Sequence, residues 1–142
     1  MFKKCLFSFA IIVIWPSFTL GSPTYTISAL SAPNGSTLTE FSGASAYGAV
    51  GGSFIGDFSQ FSGVTVPTLW QGSQNTLLPT NGSPQGYAIA INANGDAVGY
   101  TFQSDPEISQ PVFWKNGQMQ NLAMPDMAVG VAYAINNSDM IV

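Results

Sequence analysis

Apolar residues in this chain come in short runs cut by Asn, Gly and Asp. The clearest case is Tyr87–Tyr100, where Ala88–Ile91 and Ala97–Tyr100 flank the polar stretch Asn92–Asp96. Runs of this length between turn-forming residues predict strands rather than helices. Asn94-Gly95 tolerates positive φ at both positions, so the pair predicts a hairpin. The phrase A-Y-A-I-N-N-S-D-M-I-V at Ala132–Val142 repeats this pattern, and a fainter copy lies in Ser45–Phe58. Tyr25–Ile27 centres a first strand over Thr24–Leu30, followed by a turn at Pro33-Asn34-Gly35 and a short strand at Thr37–Phe41.

The copies recur at a fixed interval. Pro67-Thr68-Leu69-Trp70 matches Pro111-Val112-Phe113-Trp114 at 44 residues, and Leu78/Leu122 and Ile91/Ile135 share that spacing. Gly43 and Gly56 are 13 apart, as are Gly86 and Gly99, which sets Gly52 on Gly95. A period of about 44 residues marks a repeat architecture. One unit reads from Ala88 to Val131. Its strands are Ala88–Ile91, Ala97–Phe102, Pro111–Trp114 and Gln118–Leu122, with a polar loop at Gln103–Gln110 and a second hairpin turn at Asn116-Gly117. Four strands per period is the size of a propeller blade; the coils of a parallel solenoid are shorter and need fewer Asn-Gly hairpins. The expectation is an all-β fold of tandem, propeller-like four-stranded blades, with units at about 43–86 and 87–130 and a partial one at 131–142. Two to three units fall short of the about four to eight that close a propeller. The pattern therefore predicts an incomplete set, a truncated piece of a longer repeat protein.

The first 21 residues stand apart. Lys3 and Lys4 precede an apolar run, Cys5–Trp15, broken by Pro16 and followed by Thr19 and Gly21. This is the pattern of a secretory signal peptide cut after Gly21, within about two residues. An uncleaved anchor is the competing reading, but the run is shorter than the about 20 residues a span needs. The domain division is then a signal peptide at 1–21 and a β-repeat domain at 22–142, secreted or held at the cell surface, with no membrane span in the mature chain.

Composition narrows the partners. Charged residues are only 7% of the chain, with 15 Gly and 9 Pro, and there is no His. Removing Lys3 and Lys4 with the leader takes the formal net charge from −4 to −6 and leaves Lys115 as the one basic side chain. Such a chain cannot neutralise phosphates, which argues against nucleic acid and anionic membrane surfaces. Removal of Cys5 leaves no cysteine, so no disulfide can hold the domain.

I-N-A-N-G-D-A-V-G followed by V-F-W-K-N-G-Q-M-Q-N-L, with Y-T-I-S-A-L just after the leader, resembles the HAF extracellular-repeat family. The resemblance covers most of Tyr25–Val142 and is strongest from Gly86 onward. This chain departs from the family pattern in having Pro67 and Pro111 where the family has His, and Gly48-Ala49 where it has Ile-Asn. The resemblance implies an exported, propeller-like β-repeat protein and no established activity.

Candidate chemistry is sparse. Asn92, Asn94 and Asp96 alternate around Gly95 loosely like a calcium loop, but calcium sites want several carboxylates and this turn offers one, as does Asn136–Asp139. Turn formation explains both stretches, so no metal is expected. Trp70 and Trp114 could stack on sugar rings; their recurrence favours a core role with the indole N–H bonded to backbone. Asp105 and Glu107 are a carboxylate pair of the kind glycosidases use, but they lie in a polar loop without His, Arg or a mature Cys nearby. The sequons at Asn34, Asn81 and Asn136 read as turns. No catalytic, cofactor-binding or metal residue is assigned. The expected function is an exported, non-catalytic interaction module binding an extracellular or surface partner through variable loops such as Gln103–Gln110. The alternatives are a fragment of a carbohydrate-active enzyme and a non-functional remnant.

Overall fold

The computed structural model describes residues 30–57, 60, 62–102, 108–124 and 129–142. The leader, most of the Thr24–Leu30 strand and the pair Asp105/Glu107 lie outside the described residues. The chain is all-β, with two four-stranded antiparallel sheets in sequential order. The first holds β1 (Ser36–Ala44), β2 (Ala49–Asp57), β3 (Ser62–Gln71) and β4 (Gln74–Leu77). The second holds β5 (Gln85–Ile91), β6 (Ala97–Phe102), β7 (Ser109–Lys115) and β8 (Gln118–Asn121). The four strands expected between Ala88 and Leu122 are therefore present. The expected unit edges at 43 and 87 fall inside β1 and β5.

Strand register is common to both sheets. Ala49 and Ala97 face Trp70 and Trp114; Val50 and Val98 face Leu69 and Phe113; Gly52 and Tyr100 face Pro67 and Pro111. Leu78 and Leu122 each donate their N–H to the carbonyl of that proline. This register corrects the alignment of Gly52 with Gly95. Gly52 lies in a strand, whereas Gly95 occupies a turn at φ +89. The error has a physical source. Ala49 and Trp70 are farther apart in sequence than Ala97 and Trp114, so the interval is 44 residues at the tryptophans and 48 at the alanines.

Turn chemistry follows the sequence. Lys115 pairs with Gln118 across Asn116-Gly117, both with positive φ, as a type I′ hairpin requires. Gly72-Ser73 closes the matching hairpin with Gly72 alone at positive φ. At Asn92 the side chain itself organises the turn, its Oδ1 accepting the N–H groups of Asn94 (2.9 Å) and Asp96 (3.0 Å). Asn136 does the same for Ser138 and Met140, both at 2.9 Å. Asp139, at φ 57, stands where Gly95 stands.

Two apolar cores result. Val50, Leu69 and Leu78 meet Ala88, Ile91, Ala97, Val112 and Trp114 between the sheets. On the other face of the second sheet, Val98, Phe113 and Leu122 meet Ala132, Ile135 and Ile141. Trp70 and Trp114 are both buried, at 1% exposure. Their indole N–H groups donate to the carbonyls of Ser31 and Pro79, each at 2.8 Å. That is the core role read from their spacing, with the one polar atom of each ring satisfied.

The turns also bind one another. Ser45 Oγ donates to the Asn92 carbonyl (2.8 Å), and Asn92 Nδ2 donates to the Asn136 carbonyl and to Asp139 Oδ1, both at 3.1 Å. Lys115 Nζ reaches the other oxygen of Asp139 at 2.6 Å. Asn92 is 3% exposed, so its four bonds are shielded from water. Replacing it with Ala strands two backbone donors, and urea melts should show a loss of about 2 kcal/mol. Asn92→Asp keeps the acceptor but sets a carboxylate against Asp139. In hydrogen exchange, amides of 132–142 should then lose protection while those of 94 and 96 keep theirs.

Candidate functional site

A feature of backbone geometry builds the most distinctive surface of the molecule. β1 and β5 each carry a bulge, between Phe41 and Gly43 and between Ala88 and Ala90, leaving Ser42 and Ile89 as the extra residues. At Tyr133 the N–H groups of Tyr133 (2.6 Å) and Ala134 (3.1 Å) both point to the Val142 carbonyl, two donors to one acceptor as in a bulge. Ser42, Ile89 and Tyr133 each stand three residues before a turn-organising side chain: Ser45, Asn92 and Asn136. Bulges bend a strand and re-aim its side chains. All three residues line one open groove of about 430 Å³.

Regular strand pairing supplies the rest of the groove. Tyr87 on β5 pairs directly with Tyr100 on β6, their rings 6.3 Å apart and 17° from parallel. Phe102, two residues along the same strand, sets its ring edge-on to Tyr100 at 5.2 Å. Ser109 pairs with Phe102 and ties down the next segment, its Oγ bonding the Gly130 carbonyl at 3.0 Å. Ala132 N–H then bonds the Gly99 carbonyl, which sets Tyr133 beside Tyr100 with 66% of its surface exposed.

Room for Tyr87 comes from the first sheet. A Cβ on Gly52 would run into the Tyr87 ring. With that space open, the Tyr87 hydroxyl reaches Glu40 on β1 and donates to Oε2 at 3.1 Å. Glu40 thus sets a negative charge at the Tyr87 hydroxyl, beside the groove rather than on its lining. Burial, and secondarily the Glu40 charge, pushes the Tyr87 hydroxyl above its ordinary range, opposed by a hydrogen bond from Ser42. Burial is also the main cause for Tyr100, with Tyr133 and Glu40 adding to it.

No lining residue of the groove is cationic. A larger groove, of about 550 Å³, lies along Thr80–Pro84 and the β7–β8 edge. Two of its three side-chain amides are engaged: Gln110 Nε2 bonds the carbonyls of Pro111 and Leu122, and Asn81 Nδ2 faces that of Met119. The aromatic groove, with Tyr87, Tyr100, Phe102 and Tyr133 on its lining, is the candidate for a ligand.

The residues weighed on sequence grounds are placed differently. Asp139 accepts from Asn92 Nδ2 through one oxygen and from Lys115 through the other, and Asp96 Oδ1 faces the Asn116 N–H at 3.4 Å. Among the described residues no group of three or more His, Cys, Asp or Glu is placed to hold a metal. Asp105 and Glu107, and most of the Gln103–Gln110 loop, lie outside the described residues. The groove residues Tyr87, Tyr100, Phe102 and Tyr133 were missed. The available signal was the position three residues before each turn, occupied by Ser42, Ile89 and Tyr133.

Compared with known proteins, the chain matches no family model, no curated protein and no solved structure. Among the described residues no helix is long and apolar enough to cross a membrane.

The tyrosines make stability depend on alkaline pH. Both hydroxyls are raised in the folded chain, so the native state holds protons that the unfolded chain releases. Their contribution is whole below the ordinary tyrosine range and is lost as pH rises through the folded values. Thermal melts should fall in midpoint above about pH 10, and Tyr87→Phe should make that fall shallower.

Proposed function

We propose that the chain is an exported, non-catalytic β-repeat protein of the HAF kind that binds an extracellular or surface ligand. In this reading the two sheets are consecutive blades of a propeller-like stack, and residues 132–142 begin a third. The observation that carries it is the placing of Ser42, Ile89 and Tyr133 three residues before successive turns, the first two as strand bulges, all three on the lining of one aromatic groove. A recurring structural unit that exposes side chains along a common line is how repeat proteins make binding surfaces. The common register of the two sheets and the matching turns at Asn92 and Asn136 support the tandem reading.

Three measurements test it. N-terminal sequencing of the chain recovered outside the producing cells should begin at Ser22, within about two residues; recovery only inside the cell, with Met1 retained, overturns export. Incubation with a panel of polysaccharides should release no reducing ends, and turnover lost on Asp105→Asn would make the protein a hydrolase. A thermal-shift screen of small molecules and soluble polymers should give stabilisers whose effect disappears in Tyr133→Ala. Stabilisers indifferent to that change would move the binding surface elsewhere.

A further inference from the structure

The groove is lined by aromatic faces and no cation, with one carboxylate held at the Tyr87 hydroxyl beside it, which narrows what it can hold. The faces of Tyr87, Tyr100 and Phe102 and the exposed ring of Tyr133 carry the negative side of their quadrupoles outward. Glu40 adds a formal charge at the Tyr87 hydroxyl. With the Tyr87 and Tyr100 ring centres 6.3 Å apart, one atom can lie within about 6 Å of both, the range over which a cation is drawn to a ring. Tyr133 brings a third tyrosine to the same lining. Anionic ligands meet a carboxylate and phenols with no compensating charge. A neutral ring gains dispersion from the faces but nothing from the field. A hard, strongly hydrated ammonium would leave hydrogen-bond donors facing apolar Ile89, Phe102 and Val131. A cation whose charge is spread over methyl groups satisfies both halves of the site.

We infer that the groove binds a quaternary ammonium group of the trimethylammonium type, with Tyr87, Tyr100 and Tyr133 around the cation and Glu40 as its counter-charge. This rests on the reading of the groove as the ligand site. Glu40 attracts the charge and, through the Tyr87 hydroxyl, fixes the ring that faces it. Gly52 is the positioning residue beneath, since any side chain there would displace Tyr87.

The test compares two probes of equal shape on the purified chain by isothermal titration calorimetry. Choline carries the charge; 3,3-dimethylbutan-1-ol replaces the quaternary nitrogen by carbon. Choline should bind at least about tenfold more tightly than the alcohol, a difference of about 1.4 kcal/mol. Glu40→Gln should weaken choline severalfold and leave the alcohol unchanged. Tyr133→Ala, which removes a largely exposed side chain, should weaken choline as well. Equal binding of both probes would show a site that reads apolar shape alone and overturn the proposal. So would choline binding indifferent to Glu40→Gln and Tyr133→Ala, or no choline binding at all. If choline fails while other stabilisers still depend on Tyr133, the ligand class falls and the groove stands. If no stabiliser depends on Tyr133, the reading of the groove falls with it.

Discussion

A single side-chain amide decides how the parts of this chain sit on each other. The oxygen of Asn92 closes its own turn and its nitrogen holds the turn of Asn136. A residue that served only one purpose would leave the hairpin or the docking of the next segment to packing alone. Because both ends of one rigid amide are fixed, the turn cannot rotate without breaking the contact between segments. Ser45 joins at the other end through its hydroxyl, giving a line of side-chain to backbone bonds from the first sheet to residues 136–139. The apolar cores lie directly behind this line, with Ile91 and Ile135 following Ala88 and Ala132 along their segments.

Burying such a network has a cost that the structure meets by complete satisfaction. Among the described residues no buried side-chain polar atom lacks a partner. Each tryptophan brings one N–H into the core and finds a carbonyl in the segment entering its sheet. That contact orders the entering segment, Ser31 or Pro79, as firmly as it satisfies the ring. Apolar burial supplies the driving force here, and polar groups select the arrangement.

Much of the fold was legible because its signals are local. Asn116-Gly117 can hardly be anything but a tight hairpin, and Trp70 and Trp114 mark equivalent strands since the β3–β4 and β7–β8 hairpins are of one length. The register of the first sheet was not legible. Its strands β2 and β3 are longer than β6 and β7, and the glycines that suggested an alignment serve different ends: Gly52 makes room for a ring, Gly95 makes a turn. The groove was hidden for a related reason. Tyr87 and Tyr100 meet through cross-strand register, Glu40 arrives from another sheet, and Ser42 and Ile89 reach the groove because a bulge interrupts the alternation of each strand, while Tyr133 comes from the segment beyond the sheets. Alternation is the rule by which strand faces are read, and this surface is made where the rule is suspended.

The space above Gly52 bears on the order of the segments. At this register the first sheet carries Glu40 and Gly52, and the second carries Tyr87 and Tyr100. The ring of Tyr87 occupies what Gly52 leaves empty, and at the position matching Tyr87 the following segment carries only Val131. Large meets small at each step. Two copies of the second sheet in succession would bring tyrosine against tyrosine where one ring fits. The segments are thus neighbours by complementary shape, and their sequence along the chain is written into the side chains that separate them.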